Sequence, residues 1–273
     1  MVNVIDTRCI AARTPASFRS VKTVNAGGGM SQESMSGQRV VVLGGMSGLG
    51  LAAAKAAASV GARVVVASSR AQSVSAATAQ ITASAGVEGC VVNLADEANI
   101  EDFFSSIGRF DHLVYTAGEA IRLGELDTVD LDAARNYFGV RVWGAYAAVK
   151  HAHSRINSGG SIVLTTGIAS RRPLAGWSLG AMICSAIEGL TRALAVELRP
   201  LRVNAVCPGV VRTPLWREMS EGDRAAMYRG LGELLPVGYV GEADDVAEAY
   251  LFLMRERYAS GHVLVVDGGA VLV

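Results

Sequence analysis

From Arg39 onward the apolar residues follow two rhythms. Short β-branched runs occupy Arg39–Leu43, Arg63–Ala67, Gly89–Val92, His112–Tyr115, Ser161–Thr165, Arg202–Ala205 and Val263–Val266. Most are continuous rather than alternating, the pattern of strands buried on both faces. Between them, Ala-rich helical stretches fall near 48–58, 71–84, 97–107, 131–155, 178–198 and 243–254. Gly61 follows the first of these and is placed to cap its end. Alternating strands and helices predict a parallel sheet with right-handed crossovers. The expected architecture is a doubly wound α/β fold of about seven strands, with helices on both faces. No internal repeat or linker interrupts the pattern, so residues 38–273 read as one domain.

Residues 1–37 stand apart as an N-terminal extension. They are rich in Ser, Thr and Gly and lack a clear apolar period. Residues 1–29 hold Arg8, Arg13, Arg19 and Lys22 against a single acid, Asp6. That composition fits a transit-like segment, a disordered tail or an upstream start before Met30 or Met35.

Composition narrows the function classes. Apolar residues make up 51% and charged residues 18%, which suits a soluble protein with an extensive core. Basic and acidic residues balance at 25 each, so nothing electrostatic points to nucleic acid or an anionic membrane. No run reads as a membrane span. Cys9, Cys90, Cys184 and Cys207 lack zinc spacing, and the last three lie in segments that read as core. No metal site and a reduced, cytoplasmic setting are the expectations.

The first predicted strand runs into Gly44-Gly45-Met46-Ser47-Gly48-Leu49-Gly50, where a helix begins. Gly44 would allow the tight turn, Gly48 the approach of backbone to a pyrophosphate, and Gly50 the close packing of helix on strand. The helix N-terminus then offers free N–H groups and a positive dipole end to phosphates. A glycine turn between strand and helix, in the first unit of an alternating series, predicts a Rossmann-type dinucleotide site. The end of the second strand selects the dinucleotide. It reads Val66-Ala67-Ser68-Ser69-Arg70, with no acid to hold ribose hydroxyls. Arg70 and Ser69 are suited instead to a 2′-phosphate, so the expected cofactor is NADP. Asn93 and Leu94, after the third strand, fall at the adenine edge.

These motifs resemble the short-chain dehydrogenase/reductase family over residues 38–270. Asp111-His112-Leu113-Val114-Tyr115-Thr116-Ala117-Gly118 is similar to the family's fourth-strand motif, with Tyr115 and Thr116 in place of two asparagines. Ala186-Ile187-Glu188-Gly189-Leu190-Thr191-Arg192 resembles the stretch after the catalytic lysine. Arg202-Val203-Asn204-Ala205-Val206-Cys207-Pro208-Gly209 resembles the sixth-strand motif, and Val265-Val266-Asp267-Gly268-Gly269 the last strand. The resemblance implies that Ser47, Leu49, Ala117 and Gly118 meet the cofactor. It also implies that Val211 and Thr213 meet the nicotinamide carboxamide. It further implies a homodimer or homotetramer paired through the helices near 131–155 and 178–198, and a small-molecule substrate.

The resemblance also locates four catalytic positions, and none carries the family residue. The asparagine position falls on Arg141, the serine position on Gly167, the tyrosine position on Gly180 and the lysine position on Cys184. Arg141 restores a cation near the one lost at Cys184, and its guanidinium could stabilise an oxyanion. It does not donate a proton at neutral pH. Thr166, beside Gly167, offers a hydroxyl. Tyr115 is either a replacement acid or a packing residue. His151 and His153, two apart on a helix, share no face and read as solvated. Trp177, Trp216, Met219 and Met227 read as an apolar lid over the substrate or as plain core. A positioned acid contributes roughly 10²–10⁴-fold, so losing the tyrosine does not by itself forbid reduction but demands another proton source, such as water or a side chain from elsewhere. The expected function is an atypical NADP-dependent oxidoreductase acting on a small or medium apolar carbonyl or alcohol. The alternatives are a non-redox isomerase, dehydratase or cyclase, and a non-catalytic NADP-binding sensor.

Overall fold

The valine runs form strands of a central sheet. The computed structural model describes residues 34–121 and 123–273, so Cys9 and the extension before residue 34 lie outside the described residues. The chain runs β1 (Arg39–Leu43), α1 (Gly48–Ser59), β2 (Arg63–Ser68), α2 (Ala71–Thr78), β3 (Val87–Val91), α3 (Glu97–Ser106) and β4 (Phe110–Tyr115). It continues through α4 (Leu131–Phe138), α5 (Ala145–Ala152), β5 (Ile156–Thr165), α6 (Ser178–Glu197) and β6 (Arg202–Pro208). Then come β7 (Val211–Arg212), α7 (Glu221–Leu234), β8 (Gly241–Glu242), α8 (Ala243–Arg255) and β9 (Val263–Val266).

Seven parallel strands form one sheet in the order β3-β2-β1-β4-β5-β6-β9. Strand side chains alternate between its faces. Val40, Val42, Val64 and Val66 pack under α1 and α8, whereas Val41, Leu43, Val65 and Leu113 pack under α3, α5 and α6. Both faces are covered, which is why the strands read as unbroken apolar runs. Ala53, Ala54 and Ala57 of α1 are fully buried, and their small side chains let the helix lie close to the sheet and to α8. Buried Arg202 ties α8 to the start of β6: its guanidinium donates to the carbonyls of Leu253 and Met254 at 2.9 and 2.8 Å. Those carbonyls end the helix, where a cation also meets the negative end of its dipole.

Several sequence expectations need correction. α2 stops at Thr78 rather than 84, because the chain turns inward to bury Ile81. The helix expected over 131–155 is α4 and α5 joined by a π-helical turn, Gly139–Gly144, and ended by a 3₁₀ turn. α7 and the short β7–β8 pair were not anticipated. α6 is 20 residues long and apolar enough, by length and composition, to cross a membrane. Here it covers the sheet beside β6 and buries Ile183, Ile187 and Leu194. Cys90 sits on the edge strand β3 and is only half-buried, as is Cys184; Cys207 alone of the three is fully buried. His151 is not simply solvated, since its Nε2 lies 3.1 Å from a Glu97 carboxylate oxygen.

The strand order reverses between β1 and β4. The chain leaves β1 toward β2 on one side, and β4 then returns to its other side. A crevice opens at the carboxyl ends of these strands, where doubly wound folds bind ligands.

Candidate functional site

The glycine turn forms the base of this crevice. Gly44 has φ +86, and a Cβ there would stand 2.6 Å from the Ala117 nitrogen. Its own N–H donates to Ala67 at 3.0 Å, tying the turn to β2. A Cβ on Gly50 would collide with the Gly44 carbonyl and with Thr116 Oγ1. Both glycines therefore permit close passage of backbone against backbone. Gly48, at φ +51, adds a further approach: a Cβ there would lie 3.2 Å from Thr213 Cβ. The loop after β7 thus crosses the first turn of α1. Ser47 caps α1 in an extended conformation, and its side chain makes no capping bond. The first N–H groups of α1 are left to face the crevice.

A cleft of about 450 Å³ lies above this turn. It gathers nearly all the sequence-predicted cofactor residues: Gly44, Ser47, Gly48, Leu49, Gly50, Ser69, Arg70, Asn93, Leu94, Ala117, Gly118 and Thr213. Val211 is the exception. It is buried in the β7–β8 pair, and its carbonyl accepts a 3.0 Å bond from Trp216 Nε1. At the β2 end, Arg70 is exposed and its side chain has no partner among the described residues. Asn93 Oδ1 accepts from the Ala95 N–H at 3.1 Å, leaving its amide NH₂ uncommitted.

Of the proposed catalytic residues, Arg141 and Thr166 line the cleft and Gly167, Gly180 and Cys184 do not. Arg141 projects from the π-helical turn across the end of β4. Its guanidinium carbon would be 2.6 Å from a Gly118 Cβ, so glycine at 118 makes its seat. Nη2 donates to the Glu119 carbonyl, the guanidinium lies 5.0 Å from the Tyr137 ring centroid, and Nε stands 4.0 Å from the Glu119 carboxylate. Nε is buried without a hydrogen-bond partner. An unsatisfied buried donor of this kind is costly and rare. Thr166 Oγ1 donates to the Cys184 carbonyl at 2.9 Å, so its proton is engaged and only its lone pairs face outward.

Tyr115 is fully buried, and its hydroxyl donates to the Val140 carbonyl at 2.5 Å. Burial raises the pKa of this phenol far above the ordinary tyrosine value. Its position matches a packing residue that pins the π-helical turn, not a proton donor facing the cleft. Gly144, in the same turn, has no room for a Cβ: it would stand 2.7 Å from the Tyr115 hydroxyl. The turn therefore depends on a tyrosine and a glycine far apart in sequence. The Cys184 thiol faces Gly167, 3.2 Å from where a Cβ would be, and burial raises its pKa. That is the opposite of thiolate activation.

Trp177 and Trp216 belong to a third apolar cluster above the C-terminal edge of β6, with ring centroids 6.1 Å apart. Met219 and Met227 pack against it. Sequence reasoning missed Met46, Glu119, Pro208 and Arg217, which also line the cleft. Glu119 directly follows a recognised motif and was findable. Arg217 sits in an irregular segment with no local signature.

The fold has known relatives. Residues 32–273 match the family described as "SDR-like rossmann domain". The short-chain dehydrogenase/reductase ucsE of Acremonium sp is 38% identical over 251 residues, covering 85% of this chain and 95% of the relative. A solved small-chain dehydrogenase in complex with NADPH is 37% identical with a TM-score of 0.74, covering 86% of this chain and 99% of the other. The MalC Reductase/Diels-Alderase from Malbranchea aurantiaca is 28% identical with a TM-score of 0.82, covering 88% and 98%. The chain belongs to the short-chain dehydrogenase/reductase family.

Proposed function

We propose that this protein is an NADP(H)-dependent oxidoreductase that interconverts a small or medium apolar carbonyl and alcohol, with Arg141 in a non-standard active site. The observation that carries this reading is one cleft holding the glycine turn, the Ser69–Arg70 pair and Arg141 together. The NADPH complex of a 37% identical dehydrogenase supports the cofactor. The residues fit it: the glycine turn lines the cleft with the uncapped N-terminus of α1, and Arg70 carries an uncommitted guanidinium at the β2 end. Such a cofactor, when bound, supplies or accepts a hydride.

The chain's own residues do the rest. The α1 N-terminus binds phosphate through N–H groups and dipole. Arg70 and Ser69 hold a 2′-phosphate, bidentate recognition being the strength of arginine. Arg141 lines the cleft, and its guanidinium stabilises negative charge developing on the substrate oxygen. With no phenol among the described residues that line the cleft, the proton exchanged with that oxygen comes from water. The long helices leave Trp143, Tyr146 and Met182 outward, which supports pairing of two copies there.

The test is a panel of apolar ketones with NADPH, followed by loss of reduced-nicotinamide absorbance. Consumption with matching alcohol formation is expected. The likeness to a reductase that is also a Diels-Alderase favours a second reading, a non-redox cyclase. Ring formation without cofactor consumption would replace the first reading with the second. Tight NADPH binding without turnover of any kind would leave a sensor.

A further inference from the structure

We infer that Arg217 is a second phosphate clamp, reaching from the segment over the glycine turn to the pyrophosphate of the dinucleotide. The inference rests on the dinucleotide reading above but concerns a different group from the 2′-phosphate held by Arg70.

Three observations carry it. The first is placement. The loop after β7 passes directly over the first turn of α1, with Pro214 Cδ 3.6 Å and Thr213 Cβ 3.2 Å from a Gly48 Cβ position. Arg217 follows three residues after Pro214 and lines the same cleft as Ser47, Gly48 and Leu49. Those residues form the uncapped N-terminus of α1, where a phosphate is favoured.

The second is anchorage. Trp216, the preceding residue, is buried, and its Nε1 donates to Val211. The Leu215 carbonyl accepts from the Ile121 N–H at 3.2 Å, tying the segment to the loop after β4. The backbone that carries Arg217 is thus pinned by the two residues that precede it.

The third is availability. Arg212, in the same segment, is committed to Glu242 at 3.2 Å and lies 4.5 Å from the Tyr228 ring centroid. Arg217 makes one side-chain bond, from Nη1 to the Pro214 carbonyl at 3.2 Å, and has no carboxylate partner among the described residues. An exposed, local bond to a neutral acceptor exchanges readily for a charge-assisted bond to phosphate, which is about twice as strong.

The pyrophosphate is common to NADPH and NADH, whereas the 2′-phosphate belongs to NADPH alone. Dissociation constants for both cofactors, measured by quenching of tryptophan fluorescence, therefore separate the two arginines. Arg217→Gln is expected to weaken NADPH and NADH by the same factor, about ten-fold, as a lost charge-assisted bond would. Arg217→Lys should recover part of that loss. Arg70→Gln is expected to weaken NADPH alone. Trypsin supplies an independent readout, because NADPH should protect the bond after Arg217 in the wild-type protein. Unchanged affinities in Arg217→Gln overturn the inference and leave the cofactor reading standing. A loss confined to NADPH also overturns it, by placing Arg217 at the 2′-phosphate. A wild-type protein that binds neither cofactor overturns both readings.

Discussion

Replacing Gly44 by alanine tests whether the cleft depends on backbone passing against backbone. The position has φ +86, where an L side chain costs about 1–2 kcal/mol. The added Cβ would also stand 2.6, 2.7 and 2.9 Å from Ala117 N, Ala117 Cα and Thr116 C. All three are backbone atoms at the end of β4, so no side chain can swing away. Overpacking of this kind costs about 1–3 kcal/mol. The sum, about 2–5 kcal/mol, corresponds to a fall in melting temperature of about 4–20 °C for a domain of this size. Relief requires parting the ends of β1 and β4, and that movement opens the cleft floor. NADPH affinity should therefore fall at least about ten-fold, a change worth only about 1.4 kcal/mol. Gly86→Ala is the control. Its φ is +97, nothing lies within 4 Å of an added Cβ, and it is remote from the cleft. It should cost about 1–2 kcal/mol of strain and leave NADPH binding unchanged. The comparison is read by differential scanning fluorimetry with and without NADPH. If Gly44→Ala melts no lower than Gly86→Ala and binds NADPH as the wild type does, the packing argument is wrong.

Other consequences are equally direct. Arg141→Ala should lower turnover about 10²-fold, the cost of removing one donor to a developing oxyanion, with partial rescue in Arg141→Lys. Unchanged turnover and unchanged NADPH affinity would reduce Arg141 to a structural role. Tyr115→Phe should cost about 1 kcal/mol of stability through the lost bond to Val140 and leave the shape of the pH–rate profile intact. Loss of one limb of that profile would make Tyr115 the proton donor. Buried His112, bonded to Ser161 at 2.8 Å and Gln38 at 3.2 Å, has its pKa pushed down by desolvation from 6.5 to about 4. The unfolded state then binds more protons between these values, so stability falls as pH drops through that window and levels off below it. Urea unfolding at about pH 7 and about pH 4.5 should show an acid loss about 2–3 kcal/mol larger in wild type than in His112→Gln. Equal losses in the two proteins would contradict a neutral buried histidine.

The parts of the site legible in sequence are those set by local backbone need. Gly44, Gly48 and Gly50 stand out because only glycine takes such φ values and approaches, and Arg70 because a missing acid at a strand end is visible without coordinates. What escaped notice depended on distant partners. The π-helical turn at Gly139–Gly144 exists where Tyr115 bonds Val140 and Gly144 yields space, so the helical period alone concealed it. α7 offered one local signal, Ser220 receiving the Asp223 N–H at 3.1 Å, but its glycines and charges diluted the apolar period.

By itself the sequence determined the doubly wound sheet and the glycine turn, because continuous valine runs and positive-φ glycines act through neighbours in the chain. Tertiary structure alone decided how Arg141 is held and that Arg217 joins Arg70 in the cleft. Arg141 is aimed by a turn that Tyr115 pins, and Arg217 is carried over α1 by a segment anchored at Trp216. An arginine's direction depends on what packs beneath its stem, and the chain brings those partners together only on folding.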